Sequence, residues 1–115
     1  MADAFAPARI LAALEASWSS ESSLQWSRGN PACGQCNATA LVVQERCGGE
    51  LLKTRVGEDW HFYNRIGGRI HDFTASQFAA PIRYDDVAAS QVDALAGTSV
   101  AQVTALARRF DAALR

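Results

Sequence analysis

The chain has 115 residues, enough to bury one modest core, and its 49% hydrophobic and 20% charged residues are the mix of a soluble globular protein. A net charge of −1 without a basic stripe argues against recruitment by nucleic acid or an anionic membrane, and no apolar run reaches membrane-crossing length. Met1 to Ala8 carry no basic region, and Asp3, Arg9 and Glu15 break the apolar run. This reads as no export signal and implies a cytoplasmic chain with reduced thiols.

One domain is expected over 1–115. Residues 7–18 read as a helix, with Pro7 in its first turn and Ile10, Leu11, Leu14 and Trp18 on one face. The stretch 19–34 is polar, rich in Ser, Gly, Asn and Pro, with Leu24 and Trp26 as its large apolar anchors. A loop of that length is functional or poorly ordered. A second helix is expected from Cys36 to Cys47, ended by Gly48-Gly49. Strands are expected over 50–55, 60–66 and 69–74, the last two joined through Gly67-Gly68 as a hairpin. A helical turn at 75–78 stops at Pro81, and two helices, 86–96 and 99–114, are separated by Gly97. Asp85-Asp86 suits a polar cap before the first of them, and Ser99 with Gln102 has the capping-box spacing.

The hairpin allows a geometric test. A two-residue turn pairs Ile66 with Arg69, so Tyr63 faces Asp72 and His61 faces Thr74. Alternation then puts His61, Tyr63, Arg65, Ile70, Asp72 and Thr74 on one polar face, and Trp60, Phe62, Asn64, Ile66, Arg69, His71 and Phe73 on a core-facing one. His61 and Asp72 become diagonal neighbours, about 7–8 Å apart at the backbone and within side-chain reach. A carboxylate there fixes the imidazole tautomer, whereas His71 points the other way. Asp72 paired with Arg65 is the bland alternative.

The three cysteines, Cys33, Cys36 and Cys47, do not make a disulfide framework. Cys47 falls at helical spacing with an apolar face and reads as packing. Cys36 opens a helix, where unpaired N–H groups and the dipole favour a thiolate. With His61 and Asp72 it forms a nucleophile–base–orienter set suited to acyl transfer. The Cys36 N–H, with Gln35 or the Trp26 indole, would hold the oxyanion. The substrate would be a small-molecule or peptide acyl group, and the chemistry requires no cofactor.

Gly34-Gln35-Cys36, His61-Phe62-Tyr63-Asn64 and Asp72-Phe73-Thr74 resemble the transglutaminase-like branch of the papain-like cysteine fold. That family carries Gly-Gln-Cys at a helix start, His-x-Trp-Asn on a strand and Asp-Pro-Thr on the next. The resemblance implies Cys36, His61 and Asp72 as nucleophile, base and orienter, with Asn64 as a supporting residue. Asn37, Tyr63 and Phe73 depart from the pattern. More closely, GQCNATALVVQ, the Gly48-Gly49 pair, HFYN and DFTASQF resemble the YunG-like family of small bacterial proteins, a likeness that implies no particular reaction.

Two rival chemistries share these residues. Cys33-Gly-Gln-Cys36 is a C-x-x-C motif, which in a thiol–disulfide oxidoreductase would make Cys33 the nucleophile. Cys33 and Cys36 with Cys47 or a histidine are an alternative zinc set, although the second ligand pair is missing. A non-catalytic domain with a vestigial site is the third class. The expected fold is α+β: a papain/transglutaminase-like core with N-terminal helices on a small antiparallel sheet of about three strands, covered by C-terminal helices.

Overall fold

A computed structural model describes residues 6–115. The stretch 1–5, on which part of the export-signal reading rests, lies outside the described residues. Helix α1 spans Pro7–Ser17 and α2 spans Cys36–Cys47. Strands β1 (Glu50–Val56), β2 (Asp59–Ile66) and β3 (Arg69–His71) follow, then a 3-10 turn at Ala75–Gln77. Strand β4 (Val87–Ala88), α3 (Gln91–Leu95) and α4 (Val100–Leu114) complete the chain. The architecture is α+β, with one antiparallel sheet in the order β3-β2-β1-β4.

Helix α2 is the hub. Its residues from Ala38 to Val43 are all buried, as befits a helix apolar on nearly every side. One side joins Ile10 and Leu14 of α1, Leu106 and Phe110 of α4, and Phe73 in the larger core cluster. The other side, through Cys36, Ala40 and Leu41, packs on Leu51, Phe62 and Ala94. Asn64 ties the sheet to the helix by donating to the Ala40 carbonyl at 3.0 Å.

The hairpin has the expected register. Ile66 pairs with Arg69, Arg65 with Ile70 and Asn64 with His71, across a turn whose two glycines both have positive φ. Three expectations need correction. First, β3 stops at His71 rather than residue 74, because the Asp72 carboxylate accepts from the Thr74 N–H at 3.2 Å and folds the chain into a turn. Second, no helix starts at 86. Val87 and Ala88 pair with Lys53 and Leu52 as a fourth strand, so Asp85-Asp86 caps nothing; the helix begins at Gln91 behind a full Ser90/Asp93 capping box. Third, the apolar face of β2 is not alone in being covered: the polar His61 face is buried too. His61 and Tyr63 are as buried as Phe62 and Asn64, since the chain after β3 folds back over them.

The loop before α2 is also built differently from expectation. Leu24 is 92% exposed and anchors nothing, while Ser22 and Ser23 are buried. Ser23 accepts from the Gln25 N–H and donates to the Cys33 carbonyl, so hydrogen bonds organise the loop. The Ser99 cap on α4 forms, with its hydroxyl accepting from the Gln102 N–H at 3.2 Å. Among the described residues no helix is long and apolar enough to cross a membrane.

Candidate functional site

The structure brings Cys36, His61 and Asp72 together. The His61 Nε2 lies 2.7 Å from the Asp72 Oδ2, and both side chains are almost wholly buried. Asp72 occupies Nε2, and the nearby Cys36 side chain adds to the ring's affinity for a proton. Burial opposes a charged ring, but the hydrogen bonds to Asp72 and then Cys36 outweigh it and push the His61 pKa up to about 9. At neutral pH the ring therefore carries its proton. That charge lies in the same cleft as the Cys36 sulfur, which opens α2.

Local geometry explains the meeting. Because β3 ends early, the chain leaves the sheet at Asp72 and turns it toward β2 instead of pairing along it. The Asp72 Oδ1 accepts from the Thr74 N–H and hydroxyl, which fixes the carboxylate against its own turn. The imidazole is held at its edges by Phe78, with ring centres 4.8 Å apart, and is stacked on Tyr63 at 6.1 Å. His71 does not join; it stacks on Phe73 at 5.7 Å, and burial and then the Arg69 charge hold its pKa low. Arg65 pairs with Glu50, not Asp72, at 3.2 Å.

Cys36 and His61 line an open cleft of about 890 Å³ between the loop before α2 and the residues of α3. Its walls include Leu24, Gln25, Trp60, Phe78 and Val92. Asn37 sets one wall: its Nδ2 donates to the Ala94 carbonyl at 2.9 Å while its Oδ1 accepts from the Cys36 thiol at 3.2 Å. Gly97 makes that possible, since a Cβ there would lie 2.5 Å from Asn37 Nδ2. Gly34 has the same function on the other wall, where a Cβ would lie 2.5 Å from Gln25 Oε1 and φ is +73°.

The supporting residues fall elsewhere than the sequence suggests. Gln35 is fully buried and turned to the preceding loop, its Nε2 3.4 Å from the Ser19 carbonyl. The Trp26 indole packs against the helical core. Neither lines the cleft, and the Trp26 N–H and Gln35 Oε1 are buried without protein partners. Asn64 acts between sheet and helix rather than at the thiol. Gln25, against Gly34, lines the cleft wall.

Two residues at the site escape sequence reasoning. Tyr84 donates to Asp72 Oδ2 at 2.6 Å, and burial and that bond push its phenol well above the usual range. Asp86 accepts from the Tyr63 hydroxyl at 2.7 Å. Neither has a local motif; only the return of the chain across β1 and β2 places them.

Cys33 stands apart, its sulfur 4.0 Å from Gln25 Oε1, and the element before the C-x-x-C loop is a helix rather than a strand. Cys47 is half-buried against the core. Among the described residues no three His, Cys, Asp or Glu side chains converge where they could hold a metal ion, so the zinc reading lacks its third ligand.

The family model described as YunG protein matches residues 6–115. An uncharacterized protein YunG of Bacillus subtilis (strain 168) is 47% identical over 97 residues, 84% of each chain. No solved structure matches the chain significantly. The chain belongs to the YunG family.

Proposed function

We propose that this member of the YunG family is a cysteine-dependent acyl-transfer or amide-hydrolysing enzyme with a transglutaminase-like, papain-like core. The observation that carries the reading is the buried 2.7 Å contact between His61 and Asp72, with His61 and Cys36 lining the same open cleft. The order of parts supports it: a thiol at a helix start, an imidazole on a following antiparallel strand, and a carboxylate just past the next strand.

In this mechanism the Cys36 thiol proton resides on His61, and the sulfur attacks the carbonyl carbon of a small-molecule or peptide substrate, forming the C–S bond as the carbonyl π pair moves to oxygen. The oxyanion that develops is met by the Cys36 backbone N–H, which as the first in α2 has no acceptor within the helix. Gln25, whose side chain lines the cleft where Gln35 does not, replaces Gln35 as the candidate second donor. His61 passes its proton to the departing amine as the C–N bond breaks, leaving a thioester. Water or a second amine then attacks the thioester while His61 takes its proton, and the Cys36 sulfur is released. Asp72 holds the ring with Nε2 occupied so that Nδ1 serves the reaction.

The departures at Asn37, Tyr63 and Phe73 argue against a copy of transglutaminase chemistry. Asn37 fills the position next to the thiol with a hydrogen-bonded wall, and Tyr63 is tied up with Asp86. The test is labelling with cysteine-directed acyl probes followed by mass spectrometry. Cys36 should label well ahead of Cys33 and Cys47, and His61→Ala should slow it by about 10²- to 10⁴-fold. Ordinary reactivity at all three thiols would point instead to a binding domain built on the same geometry.

A further inference from the structure

Asp72 is fully subscribed by the protein. A carboxylate offers about four acceptor positions. The Oδ1 takes the Thr74 N–H at 3.2 Å and its hydroxyl at 3.3 Å, while Oδ2 takes His61 at 2.7 Å and Tyr84 at 2.6 Å. The Tyr84 contact is therefore made at the oxygen that also holds the imidazole.

The segment that presents Tyr84, a strap over residues 83–88, is pinned on both sides. Thr54 of β1 donates to the Arg83 carbonyl and accepts from the Asp85 N–H at 3.0 Å. Tyr63 of β2 accepts from the Asp86 N–H and donates to its carboxylate, each at 2.7 Å. Asp86 reaches that contact at φ +53°, an uncommon conformation for a residue with a side chain. Tyr84 itself is 36% exposed, so burial of its ring is not what fixes it. The hydroxyl and an edge contact with Tyr63, ring centres 5.0 Å apart, set its position.

We propose that Tyr84 is a positioning residue for the Asp72–His61 pair: its hydroxyl shares Oδ2 with the imidazole, orients the carboxylate and limits how tightly that oxygen holds the ring. The proposal rests on the acyl-transfer reading for its purpose, because a general acid must release its proton to the leaving group. A neutral phenol on the same oxygen disperses the carboxylate charge, so the ring keeps its orientation without being locked in one protonation state. The titratable groups facing the ring are Cys36 from α2, Asp72 from the turn after β3, Tyr63 beside it on β2, and Tyr84 through Asp72. Asp85 and Asp86 on the strap are engaged by Thr54 and Tyr63.

The experiment is a nitrogen-detected NMR titration of both histidines in the whole chain, for wild type, Tyr84→Phe, Asp72→Asn and the double variant. Tyr84→Phe should raise the His61 midpoint by about half to one unit, a threefold to tenfold gain in proton affinity. His71 should not move. In the Asp72→Asn background the same substitution should have no effect. Tyr84→3-fluorotyrosine, a stronger donor that keeps every packing contact, should shift the midpoint the opposite way and covers any loss of folding in Tyr84→Phe. An unmoved His61 midpoint in the folded variants, or an equal shift without the carboxylate, would overturn the proposal. Cys36 alkylation, followed over the same pH range, separates the two ideas: ordinary wild-type reactivity would sink acyl transfer, while the histidine titration judges Tyr84 by itself.

Discussion

The two faces of β2 are buried to the same degree by opposite means. Toward α2, Phe62 joins Leu51, Ala40 and Leu41 in apolar contact, with Asn64 giving one hydrogen bond to the helix. Toward the returning chain, His61, Tyr63 and Thr54 meet Asp72, Tyr84, Asp85 and Asp86 through a set of hydrogen bonds, with Phe78 and Tyr84 edge-on to the rings. The first face supplies stability that is indifferent to pH. The second couples stability to the protonation of a buried imidazole.

The largest expected difference between the faces is in plain stability. Leu51→Ala should cost about 2–5 kcal/mol in chemical denaturation while leaving the His61 titration where it was. A shift in that titration would mean that the faces are not independent. Next comes the pH dependence. The folded His61 pKa, at about 9, stands above its unfolded value near 6.5. The pair's contribution is therefore fully present below about pH 6.5 and is lost as pH rises through about 9, on the order of 2–4 kcal/mol. Thermal unfolding should show that decline in wild type and a much flatter profile in Asp72→Asn; parallel profiles would break the comparison.

Smaller effects sharpen it. Tyr63→Phe removes the hydroxyl that links β2 to Asp86 and should cost about 1 kcal/mol, with faster amide exchange over residues 83–86. Unchanged exchange there would show that the strap is held by something else. Gly97→Ala should cost about 1 kcal/mol by displacing Asn37 from the Ala94 carbonyl. A change in Cys36 alkylation should accompany it, because the same amide accepts from the thiol.

The parts of the site that depend on short-range rules could be read from the residues alone. Gly67-Gly68 sets the hairpin register, register sets parity, and parity separates His61 from His71 without knowledge of the rest of the fold. Cys36 at a helix start follows equally from Gly34 before it and the apolar run after it. The strap could not be read in this way. Val87 and Ala88 are too short a strand to show alternation, and the Asp-Asp-Val-Ala-Ala run around them favours a helix until β1 offers an edge. Tyr84 carries no motif because its partner is 12 residues away and reached only after the chain doubles back. Gln35 misleads for a related reason: adjacency to the thiol in sequence sends its side chain into the loop behind the helix, whereas Gln25 reaches the cleft from farther away.

The most direct test of the central claim is the pH profile of Cys36 labelling by an acyl probe, with each thiol quantified by mass spectrometry in wild type and His61→Ala. Labelling concentrated on Cys36 near neutral pH, and lost with the imidazole, is the predicted result. Equal labelling of Cys33, Cys36 and Cys47, or a Cys36 rate untouched by His61→Ala, would contradict it.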